Sequence, residues 1–222
     1  MTTEQTKKEF NPSHNMTSKY ATLMETSGEE VTVVNAGVML TKLLQVSAGS
    51  IYSNTKGVIE FDVSNRMTAL KEIIDEASHK VIVFCPFRHS IELIMTELRK
   101  AGTTCDAIHG DVSMHKRTEL FKNFQETKNP QVLIIQPQSA SHGVTLHAAN
   151  VVVFWSPVMS VETYLQCIAR IDRVGQKNKM TVIHLQGSEV ERRMYRMLQN
   201  KVDMHEQLVD LYRQEVEGES NE

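Results

Sequence analysis

The stretch "QCIARIDRVGQ", residues 166–176, sets Arg170 and Arg173 three positions apart and follows them with Gly175 and Gln176. Three residues are close to one helical turn, so both guanidiniums can point the same way, and Gln166 shares that face with Arg170 at the i, i+4 spacing. Two cations aimed at one point call for an anion between them. A helix end decorated with cations that suit its dipole would explain the arginines alone, but not the Gly-Gln pair that follows them.

Two further stretches carry residues suited to ligand contact. "IHGDVSMHKR" (108–117) follows one apolar run and opens a helical pattern, with Gly110 in a tight turn and a Ser113 hydroxyl where a helix begins. That arrangement suits a phosphate oxygen, or it is an ordinary turn with an Asp/Ser cap. "IIQPQSASHGVTLHAAN" (134–150) is a long polar loop in which Gly143 admits close backbone approach and Ser139, Ser141 and Thr145 supply hydroxyls. His142 and His147 are not joined by a Cys or carboxylate in ligand spacing, so no metal site is expected. Arg192, Arg193 and Arg196 read as a solvated helix face.

Certain motifs are missing from the sequence. It contains no G-x-x-x-x-G-K-[ST] loop for a triphosphate, no DExx-type acidic quartet for Mg2+ and no G-x-S-x-G elbow. The three cysteines are far apart and form no CxxC, which fits reduced thiols rather than a disulfide framework. A net charge of −3 argues against a free-standing electrostatic clamp on nucleic acid. With no membrane-length apolar run and no signal core, a soluble intracellular protein is expected.

The elements that must position these residues follow from the apolar pattern. Residues 1–19 are polar and aperiodic and are expected to be flexible. Residues 20–62 read as an appendage, a helix over 26–47 and a hairpin around residues 54–57. From residue 63 to about 215, apolar runs alternate with amphipathic helices. Ser64 or Asn65 is the expected cap of the first helix, and residues 188–214 read as one long final helix. Residues 216–222 form an acidic tail. Strands that are apolar throughout, with helices between them, predict an α/β fold: a parallel sheet in three layers, helices on both faces. Ligands then bind at the carboxyl ends of the strands, where the three stretches above fall.

Taken together, these stretches resemble the C-terminal RecA-like lobe of superfamily II helicases, in the SWI/SNF-like branch. "KVIVFCPFRHSIELI" is similar to motif IV, "VLIIQPQSASHGVTLHAANVVVFWSP" to motif V, and "YLQCIARIDRVGQKNKMTVIHL" to motif VI, with "IHGDVSMHKRTELFKNF" between the first two. "KLLQVSAGSIY" resembles the stretch preceding this lobe in compact phage and prokaryotic members, so the resemblance covers residues 42–201. It departs in two places: Thr145 stands where motif V usually has Asn, and Ala169 where a Gly usually precedes the first arginine.

The resemblance implies roles. Arg170 and Arg173 would be arginine fingers on the phosphates of ATP, with Gln166, Gly143, Thr145 and Gln176 on the nucleotide side. Gly110, Asp111, Ser139, Ser141 and Arg88 would lie near the phosphates of DNA, duplex favoured. ATP and Mg2+ would be held only with an N-terminal RecA-like lobe, in cis or in trans, and hydrolysis by this chain alone should be negligible. A cytoplasmic place in a bacterial or phage-infected cell, with no membrane partner, is implied. The alternative is a stand-alone regulatory module that binds a protein or DNA without ATPase activity. The N-terminal appendage, the initiator Met and the altered motif V motivate it.

Overall fold

The computed structural model describes residues 4–9, 33–53, 57–141, 146–172, 176 and 178–200. Gly143, Thr145 and Arg173, like His142 and the expected helix beyond residue 200, lie outside the described residues. The strands are β1 (Glu4–Glu9), β2 (Ser50–Ser53), β3 (Gly57–Glu60), β4 (Lys80–Phe84), β5 (Cys105–Ile108), β6 (Val132–Ile135), β7 (Ala149–Phe154) and β8 (Thr181–Gln186). The helices are α1 (Val33–Ser47), α2 (Ser64–Glu76), α3 (Arg88–Lys100), α4 (Met114–Glu126), α5 (Val161–Ala169) and α6 (Glu189–Gln199), with a 3-10 turn at Pro137–Ser141.

β4 to β8 and β1 form one parallel sheet in the order β1-β8-β7-β4-β6-β5, while β2 and β3 pair antiparallel as a separate hairpin. Every residue of Val81–Phe84, and every residue of β6, is buried. This is why these strands read as unbroken apolar runs: both pleat directions need apolar side chains. Ile82, Phe84, Leu133, Ile135, Val152 and Phe154 pack toward α1, α4, α5 and α6. Val81, Val83, Val132, Ile134, Val151 and Val153 pack toward α2 and α3. The three-layer expectation is therefore met, in a RecA-like α/β fold.

The helices start and stop for local reasons. Ser113, Ser160 and Ser188 cap α4, α5 and α6 by accepting the backbone N–H of Lys116, Thr163 and Glu191. α3 ends where Thr103 N–H reaches Leu98 O (2.9 Å) and Gly102 takes a φ of +79°, a C-terminal stop that glycine reaches without strain. The Lys80 ammonium, which lies 4.8 Å from the Phe124 ring centroid, binds the orphan carbonyls at the end of α4, Phe124 O (2.6 Å) and Thr127 O (2.7 Å).

Three expectations about these elements are revised. α2 is not capped by the Ser64 or Asn65 side chain: it begins at Ser64, whose N–H donates to Asp62 Oδ1 at 2.8 Å. That bond holds the Asp62 carboxyl below its usual range. Glu4–Glu9, expected to be without regular structure, pairs in parallel register with β8. The outer edge of β8 offers a row of backbone hydrogen-bonding groups, and a polar segment can pair with them. The helix and hairpin read as an appendage are tied into the lobe. Leu40, Leu43 and Leu44 join the main core, Trp155 Nε1 donates to Ala48 O (2.9 Å), and Ser47 Oγ donates to Ser188 Oγ (3.2 Å).

Candidate functional site

The carboxyl ends of β4, β5 and β6 open into loops that are pinned to one another. Gln136, just past β6, accepts from Gly110 N–H (3.0 Å) and donates through its amide nitrogen to Pro86 O (3.4 Å). Its own backbone carbonyl takes Ser139 N–H at 2.8 Å. Arg117, on the first turn of α4, donates to Val112 O (2.8 Å), His109 O (3.0 Å) and Gly110 O (3.0 Å). One amide and one guanidinium thus satisfy the backbone groups of a loop that would otherwise be free to move. Neither Gln136 nor Arg117 was assigned a role on sequence, although a polar residue ending a buried apolar run is a visible signal.

Arg88 stands in the middle of this ring. Its Nε donates to Glu92 Oε1 (3.0 Å) and its Nη1 to Asp111 Oδ2 (2.6 Å). Nη1 also contacts His109 Nδ1. A guanidinium only donates, so His109 Nδ1 accepts and the ring carries its proton on Nε2. Burial, and then the Arg88 charge, hold the His109 pKa below its ordinary value of 6.5. Of the residues read as near nucleic acid, Arg88, Gly110 and Asp111 therefore form one cluster. Ser139 is buried on the neighbouring 3-10 turn, and Ser141 ends that turn.

The second region is the carboxyl end of α5, against which the 3-10 turn packs. Leu146 N–H donates to Arg170 O at 3.0 Å, so the loop after β6 is laid onto the end of this helix. Arg170 caps α5 in helical conformation (φ −71°, ψ −24°). Its Nε is buried and makes no hydrogen bond, and no carboxylate among the described residues pairs with it. Gln166, one turn earlier, is exposed and donates to Glu162 Oε1 at 3.0 Å. Gln176 is 5% exposed, and its amide is spent on Ala149 O (2.8 Å) and on Asn178 N–H (3.1 Å). Cys167 beside Arg170 is buried, which pushes its thiol up to about 12 and leaves it unsuited to nucleophilic work.

No group of three metal-ligating side chains gathers among the described residues. None of the described helices is long and apolar enough to cross a membrane.

The chain is similar to known proteins in sequence and in fold. Residues 65–175, half of the 222-residue chain, match the helicase conserved C-terminal domain. Over 131 residues the chain is 31% identical to the SWI/SNF-related matrix-associated actin-dependent regulator of chromatin subfamily A-like protein 1 homolog of Caenorhabditis elegans. That match takes in 59% of this chain and 19% of the relative. The chain spans about a fifth of the length of the curated relatives it matches. Among solved structures, the fold is similar to the Sulfolobus solfataricus SWI2/SNF2 ATPase core in complex with dsDNA: TM-score 0.69, 20% identity, 89% of this chain and 44% of that one. It is also similar to the C-terminal domain of the Sulfolobus solfataricus SWI2/SNF2 ATPase: TM-score 0.64, 18% identity, 90% of this chain and 86% of that one.

Proposed function

The chain belongs to the helicase conserved C-terminal domain family, and from that premise we propose that it is the second motor lobe of an ATP-dependent DNA translocase of the SWI2/SNF2-type superfamily II branch. The observation that supports this reading best is Arg170: its buried Nε has no partner among the described residues. A buried donor left unpaired costs roughly 1–3 kcal/mol, which an acceptor brought from outside would recover. An anionic phosphoryl group brought by another lobe supplies the missing acceptor and charge.

In this reading Arg170 and Arg173 stabilise charge on the transferring phosphoryl group, and Gln166 lies on the same helix to position it. Mg2+ would polarise the phosphate oxygens, and its ligands would come from the P-loop-bearing lobe. Gly143 and Thr145 would face the nucleotide. Gln176, whose amide is occupied inside the lobe, would support the segment carrying Arg173 rather than reach a phosphate. The Arg88, Gly110 and Asp111 cluster and the Ser139–Ser141 turn would border the DNA backbone. We place the protein in a phage or prokaryotic host on the likeness of "KLLQVSAGSIY" to compact members.

The test is reconstitution. This chain is mixed with, or fused to, a P-loop-bearing first lobe, and ATP hydrolysis is followed with and without duplex DNA. DNA-stimulated turnover should require both lobes, and either lobe alone should be inert. Turnover by this chain alone, or the same rate from the first lobe alone, would overturn the proposal. A stable complex with that lobe without any turnover would favour the regulatory module instead.

A further inference from the structure

The cluster around Arg88 contains a carboxylate with no structural duty. The loop that bears Asp111 is already held by Arg117 on three carbonyls and by Gln136 on the Gly110 amide. Arg88 is oriented by Glu92 on its own helix and by the neutral His109 ring. The Asp111 side chain is needed for neither purpose. It is 82% exposed, and its carboxylate accepts from Arg88 Nη1 at 2.6 Å. Among the described residues, Arg88 Nη2 carries no hydrogen bond, and the arginine side chain is 33% exposed. A half-open guanidinium therefore presents one N–H edge to solvent while an exposed carboxylate occupies the neighbouring one.

We propose that Asp111 is an intramolecular stand-in for a nucleic-acid phosphate, held on Arg88 while the lobe is free and displaced by the backbone of bound DNA. A carboxylate and a phosphodiester offer a guanidinium the same geometry, two oxygens in one plane with one negative charge. The exchange is cheap because an exposed ion pair contributes at most about 1 kcal/mol. The backbone of the loop need not move, since only the Asp111 side chain leaves. The consequence is discrimination by charge density. A lone anion gains little by replacing Asp111, whereas a polyanion that also meets neighbouring groups displaces it. The device also keeps Arg88 from collecting small anions between encounters.

This inference rests on reading the cluster as a contact for DNA phosphates, and the test separates the two. Binding of the full chain to a short fluorescent duplex DNA is measured by anisotropy across a salt series, for the unaltered chain, Arg88→Gln, Asp111→Asn, Asp111→Ser and Arg88→Gln/Asp111→Asn. Arg88→Gln should weaken binding and lower the salt slope by about 1, as expected for one lost phosphate contact. Asp111→Asn and Asp111→Ser should each tighten binding by about two- to fivefold at fixed salt, the range that release from an exposed ion pair allows. In the Arg88→Gln background that gain should vanish. If Arg88→Gln binds as well as the unaltered chain, the phosphate reading fails and the stand-in fails with it. A weakened Arg88→Gln with neutral or weakened Asp111 variants overturns the stand-in alone. A gain that persists without Arg88 also overturns it, because general charge repulsion then accounts for the effect.

Discussion

Arg66 and Arg170 both bury guanidinium nitrogen in the fold, yet among the described residues only Arg66 is given a charge in return. Arg66, on α2, is 4% exposed, and its Nη2 lies 2.7 Å from Glu191 Oε2 on α6, which is fully buried. The same carboxylate oxygen accepts Gly187 N–H at 2.7 Å, and Arg66 sits 5.4 Å from the centroid of the Trp155 ring while donating to the Trp155 carbonyl. α2 and α6 belong to opposite faces of the sheet, so this pair joins the two outer layers around the end of β7. At the end of α5 no described carboxylate pairs with Arg170. The difference separates two uses of a guanidinium. One is closed and holds the lobe together; the other, in the function proposed above, takes its charge from outside.

The largest effect that could break this comparison is on turnover. In the reconstituted two-lobe enzyme, Arg170→Ala should lower DNA-stimulated ATP hydrolysis by about 10^3- to 10^5-fold, the scale of losing an arginine finger. Its unfolding free energy in urea should hold or rise by up to about 3 kcal/mol, because alanine removes a buried donor that has no partner among the described residues. Arg173→Ala should behave alike. Glu191→Ala should do the reverse. Leaving Arg66 buried and unpaired should cost about 3–5 kcal/mol by urea denaturation, while residual turnover per folded molecule persists. Exchanging both partners for apolar residues, Arg66→Met with Glu191→Leu, should recover most of that loss.

A smaller effect sharpens the boundary between the two regions. Gln176→Ala removes a buried amide from Ala149 O and Asn178 N–H, and should lower stability by about 1–3 kcal/mol. If Gln176 acts through the chain rather than on nucleotide, Gln176→Ala should reduce kcat with little change in KM for ATP. The smallest effect concerns acid. His109 is neutral in the fold and its pKa lies below 6.5, so an unfolded chain takes up that proton first. Its contribution to stability is present above pH 6.5 and is lost as pH falls through the folded value. His109→Gln should therefore flatten the fall in melting temperature between neutral and mildly acidic pH.

The sequence shows the sheet because each buried strand has to be apolar on both sides, as Val81–Phe84 and Val132–Ile135 are. It shows the loops of the candidate site for the same reason: polar residues end those runs at the carboxyl side, as Gln136 does after β6. What it hides are pairings between distant positions. Arg66 and Glu191 are 125 positions apart, and neither looks unusual in its own helix. A trace was present, since Arg66 stands four, seven and eight residues before Leu70, Ile73 and Ile74, in phase with the buried face of α2. Ser188 followed three residues later by Glu191 also reads as a capping box, although the carboxylate goes to Gly187 and Arg66 instead. β1 left no trace at all. "EQTKKE" has no apolar alternation, yet its backbone pairs with β8.

The central claim, that Arg170 is reserved for a phosphoryl group outside this chain, is tested most directly by trapping the transition state. The P-loop-bearing lobe, duplex DNA and this chain are combined with ADP and aluminium fluoride, and complex formation is followed by sedimentation. A transition-state mimic should bind at least about 100-fold more tightly than ADP alone. An Arg170 so reserved predicts a stable two-lobe complex with the unaltered chain, its loss in Arg170→Ala, and no difference between the two chains when ADP is supplied without fluoride. An Arg170→Ala chain that forms the fluoride-dependent complex as well as the unaltered one would contradict it.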